Sequence, residues 1–447
     1  MKSFDILFIG SGQGAWNAAL PLSKAGKKVA IIERDKILGV CTNYGCNPKI
    51  ILDGPIKLME DAELLQTAGL SSEFKLDWGK LMEHKNNILT PLPDMMEANL
   101  KKSGVDIIRG EAKFVDSRTV EVNGEQYTSE TFVIAAGQRP IPLGIPGEEL
   151  AITSNEFLYL TELPKQIVLI GAGYVSMEIA SIARTAGSDV HIIQATDSIL
   201  SGFYQDYSNK LIEKVKQDGV QFHFNEKVSS IEQQGNQLQI TTENGLTLST
   251  ELVINATGRK PNTDLLNLEA AGVEYNKKGV IVNEFLQTSQ PHIYATGDVL
   301  DKTQPRLTPT AVFEAKYLAN YLLGVSTDAI AYPPIATIAF TTPRIAQVGI
   351  SVEDAKQSSE YSIVPIELGK QWDFAGRGET EAHLTLIYNS EKKLVGAAAY
   401  TQEALEVINS LTPVITLGLT AADAAKLIYA FPSFETMIPN YLQQAQQ

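Results

Sequence analysis

Cysteine is almost absent from this chain: two residues, Cys41 and Cys46, in a length of 447. So few exclude a secreted fold stapled by disulfides. Histidine is scarce too, and its five residues (His84, His191, His223, His292 and His383) are scattered, so the cysteines have no obvious partners for a four-ligand zinc site. Positive charge is in deficit, with 37 Lys and Arg against 52 Asp and Glu, a net charge of −15. Nucleic acid and anionic membrane surfaces repel such a chain as main partners. No apolar run approaches the ~20 residues that span a bilayer. The opening, MKSFDILFIGSG, runs straight into a strand pattern without an h-region or cleavage site, so a cytoplasmic location is expected.

Enough apolar residues remain, 44%, to bury ordinary cores, and the length suits roughly three domains at ~150 residues each. The two cysteines stand in Cys41-Thr42-Asn43-Tyr44-Gly45-Cys46-Asn47-Pro48-Lys49. A cytosol keeps thiols reduced, which leaves metal ligands, inert core residues or a redox couple as readings of the pair.

Residues 5–33 run from an apolar strand into Gly10-Ser11-Gly12-Gln13-Gly14-Ala15, then a helix-like segment, then a strand ending in Glu33. This is a dinucleotide fingerprint: Gly10 allows the tight turn, Gly12 admits a pyrophosphate to the backbone, and Ala15 lets helix and strand pack closely. The helix N-terminus would hold the phosphates, and Glu33 would accept from a ribose hydroxyl. The plain alternative is a glycine-rich turn without a ligand. The pattern recurs at 167–194, where Gly171, Gly173 and Ser176 take the small positions and Gln194 ends the second strand. An acid at Gln194 would favour NADH and a following arginine cluster NADPH; residues 195–209 contain neither Lys nor Arg.

Three further stretches read as buried strands ending in small-residue turns: TFVIAAGQRP with Gly137, LVINATGRKPN with Gly258, and PHIYATGDV with Gly297 and Asp298. The first two look like returns between nucleotide domains. Asp298 could meet a sugar-like hydroxyl chain. Each alone would pass for an ordinary strand-to-loop transition.

In this order, the motifs resemble the pyridine nucleotide–disulfide oxidoreductases, the family of glutathione reductase, dihydrolipoamide dehydrogenase and mercuric reductase. The resemblance also covers RLTPTAVFEA (306–315) and a C-terminal region of dimerisation type, FTTPRIAQVG to LGLTAADAAKLIYAFPS. It implies FAD at the first fingerprint, NADH or NADPH at the second, no metal ion, and a redox-active Cys41–Cys46 disulfide. Cys46 would face the flavin as the charge-transfer thiolate, and Cys41 would meet the substrate. Glu33 would bind the adenosine ribose, Asp298 the ribityl chain, and Thr308 would lie near the isoalloxazine. Lys49 and Glu178 would pair beside flavin N5, and Tyr174 would cover the nicotinamide pocket. One distorted helical turn would hold both sulfurs, with Pro48 near its start and a helix N-terminus lowering a thiolate pKa.

The resemblance breaks near the C-terminus. Family members carry His-Pro-Thr and a nearby Glu there, supplied by the partner subunit. Here the stretch is Ala430-Phe431-Pro432-Ser433-Phe434-Glu435-Thr436. Phe431 takes the histidine's place, Thr436 the glutamate's register, and Glu435 lies one place earlier. Phe431 reads either as core or interface packing, or as deliberate removal of an acid–base group worth ~10²–10⁴-fold. One branch, 2-ketopropyl coenzyme M oxidoreductase/carboxylase, also has phenylalanine here, but with a histidine five residues on, where this chain has Thr436. The resemblance therefore supports an atypical disulfide oxidoreductase over a carboxylase. The expected architecture is α/β: an FAD domain at 1–150 and 262–330, an NAD(P) domain at 151–261 and an α+β dimerisation domain at 331–447. The expected assembly is a homodimer acting on a small-molecule disulfide, thiol or other electron acceptor. The rival readings are an NAD(P)H oxidase or quinone or metal-ion reductase, and a slow flavin redox sensor.

Gln194 neither repels a 2′-phosphate nor precedes a cation that would bind it. NADH and NADPH are expected to give kcat/KM values within about tenfold of each other, one neutral contact's worth at ~1.4 kcal/mol. Steady-state assays with both cofactors check this. A ratio beyond roughly a thousandfold requires a charged contact and defeats the expectation.

Overall fold

The computed structural model describes residues 2–71 and 73–444. The chain forms two compact units: one from Met1–Ile51, Lys80–Ile141 and Gly258–Ala331, the other from Leu52–Gly79, Pro142–Thr257 and Tyr332–Gln447.

The first unit is built on a seven-stranded sheet whose central strand, Lys2–Ile9, pairs in parallel with Val29–Glu33 and Glu125–Ile134, and which Thr119–Val122 and Lys113–Asp116 extend antiparallel beyond Glu125–Ile134. The register sets Ile9 beside Ile32 and Ile134. Phe8, Ile31 and Phe132 are fully buried, as strands covered on both faces require. Val105–Arg109 extends one edge, and Ile293–Ala295 pairs in parallel with Glu125–Ile134. Helices Gln13–Lys24 and Thr308–Leu322 pack against each other over this core.

The second unit repeats the plan. Strands Gln166–Ile170, Asp189–Gln194, Gln221–Phe224, Leu252–Asn255 and Ile152–Thr153 form a five-stranded parallel sheet with helix Tyr174–Thr185 following the first of them. A three-stranded antiparallel meander covers Val228–Thr250. The same unit holds a five-stranded antiparallel sheet, in the order Thr337–Ala339, Arg344–Gly349, Leu394–Thr401, His383–Tyr388, Ser362–Ile366. Helix Ala404–Leu417 packs on it through Val407, Ile408 and Leu411. The expected α/β architecture, two dinucleotide-type sheets with a C-terminal α+β region, is the one observed.

Helix Cys46–Leu64 starts in the first unit and enters the second at Leu52. Within the second unit its side chains meet buried charges. Glu60 accepts from Arg184 Nη2 and Thr185 Oγ1, both at 2.8 Å. Asp53 accepts from Arg344 Nη2 at 2.5 Å.

Gly10 turns the chain out of its strand at φ +102°, and a Cβ there would lie 2.4 Å from Ala135 O. Gly26 has a similar φ, +89°, with nothing within 4 Å. Both alanine substitutions therefore carry ~1–2 kcal/mol of backbone strain, but only Gly10→Ala adds a collision with backbone. Gly10→Ala is expected to purify depleted of flavin, and Gly26→Ala to keep it, as read from the ratio of flavin to protein absorbance. Equal flavin content in the two would count against the turn's role.

Candidate active site

The first fingerprint turn is held by backbone proximity. Gly12 caps helix Gln13–Lys24 without a side-chain hydrogen bond, so no capping side chain covers the helix start. Gly14 needs to be small because its Cβ would lie 3.0 Å from Thr296 Oγ1, which donates to Gly14 O at 2.8 Å. Ala15 is fully buried against the strands. Glu33 is buried and closes this turn from the side: its Oε2 accepts from Ser11 N at 2.9 Å and Ser11 Oγ at 2.6 Å, and its Oε1 from Asp35 N at 2.8 Å. Three of about four lone-pair positions are thus taken, leaving about one to meet a ribose hydroxyl. Ser11 is a partner that sequence reading missed, although it sits inside the motif.

Asp298 lies in the short turn Gly297–Val299 and accepts from Gln138 Nε2 at 3.0 Å. The turn is set by buried Glu314, which takes Gly297 N at 2.6 Å and pairs with Lys302 Nζ at 2.6 Å. Glu314 stands in the quoted RLTPTAVFEA stretch, but nothing in its spacing announces this contact. Gly137 and Gly258 belong to one construction. Strands Gln138–Pro140 and Arg259–Pro261 pair antiparallel, and Ile141 N donates to Gly258 O at 3.0 Å. The ends of the two stretches, expected as returns between nucleotide domains, pair as a two-stranded ribbon, next to the points where the chain changes unit at Ile141/Pro142 and Thr257/Gly258.

The cysteines begin where the chain passes the fingerprint. Gly39, at φ +62°, would place a Cβ 2.9 Å from Gly12 Cα. Helix Gly39–Tyr44 follows, carrying Cys41, with Asn43 Nδ2 donating to Ile37 O and Gly39 O, each at 2.9 Å. The expectation of one distorted turn holding both sulfurs is corrected here. Gly45, at φ −147° and ψ −113°, breaks the helix, and Cys46 opens a second one, Cys46–Leu64. Pro48 sits in that helix's first turn, where its missing N–H costs nothing. Cys46 Sγ lies 3.4 Å from Thr308 Oγ1, at the start of helix Thr308–Leu322. The two sulfurs are thiols here, not joined as a disulfide. The Cys41 thiol is pushed up, first by its hydrogen bond with Cys46, then by burial.

Lys49 follows one turn after Cys46, its N donating to Gly45 O at 3.1 Å. Glu178, 7% exposed on helix Tyr174–Thr185, accepts from Phe340 N at 2.9 Å. Lys49 belongs to the first unit and Glu178 to the second.

The second fingerprint copies the first. Gly171, at φ +97°, would collide with Ala256 O at 2.7 Å, as Gly10 does with Ala135 O. Gly173 caps its helix without a side-chain bond, and a Cβ there would meet nothing within 4 Å. Tyr174 opens the helix, 42% exposed. Gln194 Nε2 donates to Thr196 Oγ1 at 2.8 Å and Ser198 O at 3.1 Å, so its amide end is committed to its own loop.

Phe431 is 77% exposed, which excludes the core-packing reading; its ring lies 6.4 Å from that of Trp372, itself 67% exposed. Glu435 does not stand free. Its Oε1 accepts from Ser410 Oγ at 2.6 Å, and the hydroxyls of Ser410 and Ser433 hold its carboxyl below the usual range. Thr436 Oγ1 donates to Ser433 O at 2.6 Å.

The residues fit FAD on two observations. Gly10, Gly12 and Gly39 form a backbone cradle beside an uncapped helix start. Thr310, in the first turn of helix Thr308–Leu322, has a buried hydroxyl with no partner among the described residues. Among those residues no group of three or more His, Cys, Asp or Glu could hold a metal ion, and no helix is long and apolar enough to cross a membrane.

Comparison with known proteins agrees with this geometry. The family described as pyridine nucleotide-disulphide oxidoreductase matches residues 4–315, and its dimerisation domain matches 335–441. The chain is 33% identical to a mercuric reductase of Staphylococcus aureus, over 97% of this chain and 80% of that one. It is 32% identical to a glutathione reductase of Nostoc sp., over 96% and 97%, and 32% identical to a dihydrolipoyl dehydrogenase of Bacillus subtilis, over 96% and 93%. Among solved structures, the Cu(II) complex of the HOCl-induced flavoprotein disulfide reductase RclA from Escherichia coli superposes with a TM-score of 0.89 at 25% identity, covering both chains in full. The chain belongs to the pyridine nucleotide–disulphide oxidoreductases, enzymes that use FAD and NAD(P)H.

Proposed function

We propose that this enzyme passes electrons from NAD(P)H through FAD to the Cys41–Cys46 disulfide, and from there to an acceptor that needs no proton from the protein. The observation that carries the second half is Phe431, an exposed phenyl ring where the family has an imidazole. Residues 1–150 and 262–330 would hold FAD, 151–261 the nicotinamide dinucleotide, and 331–447 the dimer contact. In that homodimer Phe431 of one protomer would stand over Cys41 of its partner.

Bound FAD would supply two-electron transfer between the nicotinamide and the disulfide. The chain's own residues do the rest. Two electrons and one proton convert the disulfide into a Cys41 thiol and a Cys46 thiolate. The hydrogen bond with Cys46 and burial push the Cys41 thiol up, so the proton would stay on Cys41, and the start of helix Cys46–Leu64 would favour charge on Cys46. Lys49 and Glu178 would form the ion pair at flavin N5, Asp298 would take the ribityl hydroxyls, and Tyr174 would shield the nicotinamide.

An ordinary disulfide acceptor releases a thiolate that must be protonated, and a phenyl ring cannot do this. Glu435 cannot substitute, because it is tied to Ser410 and held ionised. A soft metal ion bound by two thiolates has no such need. That second reading is favoured by the likeness to mercuric reductase and to the Cu(II)-bound structure. NAD(P)H oxidation measured against a disulfide panel, Hg(II), Cu(II) and a quinone, with and without O2, tests both. Disulfide or metal turnover should vanish in Cys41→Ser. Turnover that survives in Cys41→Ser assigns the activity to the flavin alone and overturns the proposal.

The assignment of the two thiols has a spectroscopic signature. Cys41→Ser should show a long-wavelength thiolate–flavin absorbance band without reductant, and Cys46→Ser should lack it. A donor to the thiolate lowers the pKa of Cys46, so removing the donor in Cys41→Ala should raise it relative to Cys41→Ser. The band would then fade at a pH about one unit higher. A band present in Cys46→Ser and absent in Cys41→Ser means the sulfurs are exchanged.

Phe431→His should speed reduction of glutathione disulfide or a dithionitrobenzoate about tenfold, short of the ~10²–10⁴ of an evolved acid–base group, because no carboxylate orients the new ring. Flavin reduction by NAD(P)H should not change, and adding Thr436→Glu should raise the gain. Fast disulfide turnover by the unaltered enzyme, or no gain in the double variant, would show that Phe431 does not control the proton.

A further inference from the structure

Strands Thr337–Ala339 and Arg344–Gly349 pair up to Ala339 and Ile345, and the chain between them, Phe340 to Pro343, leaves the ladder. Two side-chain attachments locate this turn. At one end the Phe340 N–H donates to Glu178 Oε1 at 2.9 Å. At the other, Arg344 Nη2 donates to Asp53 Oδ2 at 2.5 Å, with Asp53 1% and Arg344 5% exposed. The guanidinium also lies over the Phe340 ring, 4.9 Å from its centroid. One arginine thus touches both the residue that donates to Glu178 and the helix that begins at Cys46.

Without Arg344, Asp53 would lose its bond to the guanidinium, the Phe340 ring would lose its covering cation, and the turn would lose its hold on that side. The hydrogen bond to Glu178 is the next contact along the turn. We propose that Arg344, anchored on Asp53, is a positioning residue that holds the Phe340 N–H on Glu178 and so fixes the orientation of that carboxylate. The inference rests on the proposed place of Glu178 beside the flavin, where it would pair with Lys49. A displaced Glu178 would leave the Lys49 ammonium less compensated, which favours the electron-rich reduced flavin. Loosening the turn should therefore raise the flavin midpoint potential.

The test uses Arg344→Met, Arg344→Lys, the double variant Asp53→Leu/Arg344→Met, and Glu178→Gln. The double variant removes both charges of this pair, so the loss of one is not confounded with the burial of the other. Hydrogen exchange at the Phe340 amide, read on the full-length apoprotein, should be at least tenfold faster in Arg344→Met and in the double variant, and slower again in Arg344→Lys. In the FAD-loaded protein the double variant should shift the flavin couple about tenfold toward the reduced form, ~30 mV for a two-electron couple. Unchanged exchange at Phe340 in a folded double variant overturns the proposal and makes the ion pair purely structural. Faster exchange with an unchanged potential in Glu178→Gln locates the failure elsewhere: the turn would be held by Arg344, and the reading of Glu178 at the flavin would fall.

Discussion

Two glycine backbones in contact, Gly12 and Gly39, set the distance between the dinucleotide turn and the thiol segment. A Cβ on Gly39 would lie 2.9 Å from Gly12 Cα, so any side chain there forces the two apart. The rest of the first unit's site depends on this approach. Leu38, at φ +80°, reverses the chain into it, and Asn43 pins the following helix with two bonds to backbone carbonyls. Gly45 then breaks that helix, and the break delivers Cys46 to the start of a new helix, beside Thr308. The dinucleotide turn and the cysteine segment are thereby tied by main chain, which holds position better than flexible side chains would.

The same turn is built twice with different stakes. Gly10 against Ala135 and Gly171 against Ala256 are equivalent collisions, each at a strand end beside a returning strand. The residues that end the two second strands differ. Glu33 is drawn into its own fingerprint by Ser11 and Asp35, making a rigid, charged rim. Gln194 spends its amide on a local loop and offers no charge. A cofactor that stays bound suits the first arrangement, and one that must come and go suits the second.

The motifs legible in the sequence are those in which local spacing carries the physics. A positive-φ glycine, a small residue at a helix–strand contact and an acid at a strand end are all short-range requirements, and they lie where expected. The Gly45 break is not legible because C-x4-C is compatible with one helix or two; only the backbone angles of a single residue distinguish them. The contact between Arg344 and Asp53 is invisible because 291 residues separate them and, although Arg344 stands in the quoted FTTPRIAQVG stretch, nothing in its spacing points to Asp53. Glu435 is legible as a residue near the expected glutamate, but not as one bound to Ser410, which is 25 residues away on another helix. Phe431 can be read as a substitution, yet its exposure depends on how the C-terminal segment lies on its own unit.

Proton supply connects these observations. The hydrogen bond with Cys46 and burial push the Cys41 thiol up. Downstream of Phe431, the nearby polar groups are already engaged: Glu435 by Ser410, Thr436 by the Ser433 carbonyl. An imidazole could shuttle the Cys41 proton at neutral pH because its pKa lies near 6.5. A phenyl ring beside an exposed indole offers only apolar surface. On the proposed function, the two cysteines would hold electrons with one proton on Cys41, and Phe431 would supply no group to move it. Such a site would favour acceptors that bind sulfur directly and leave without taking hydrogen, over disulfides whose cleavage must be completed by an acid.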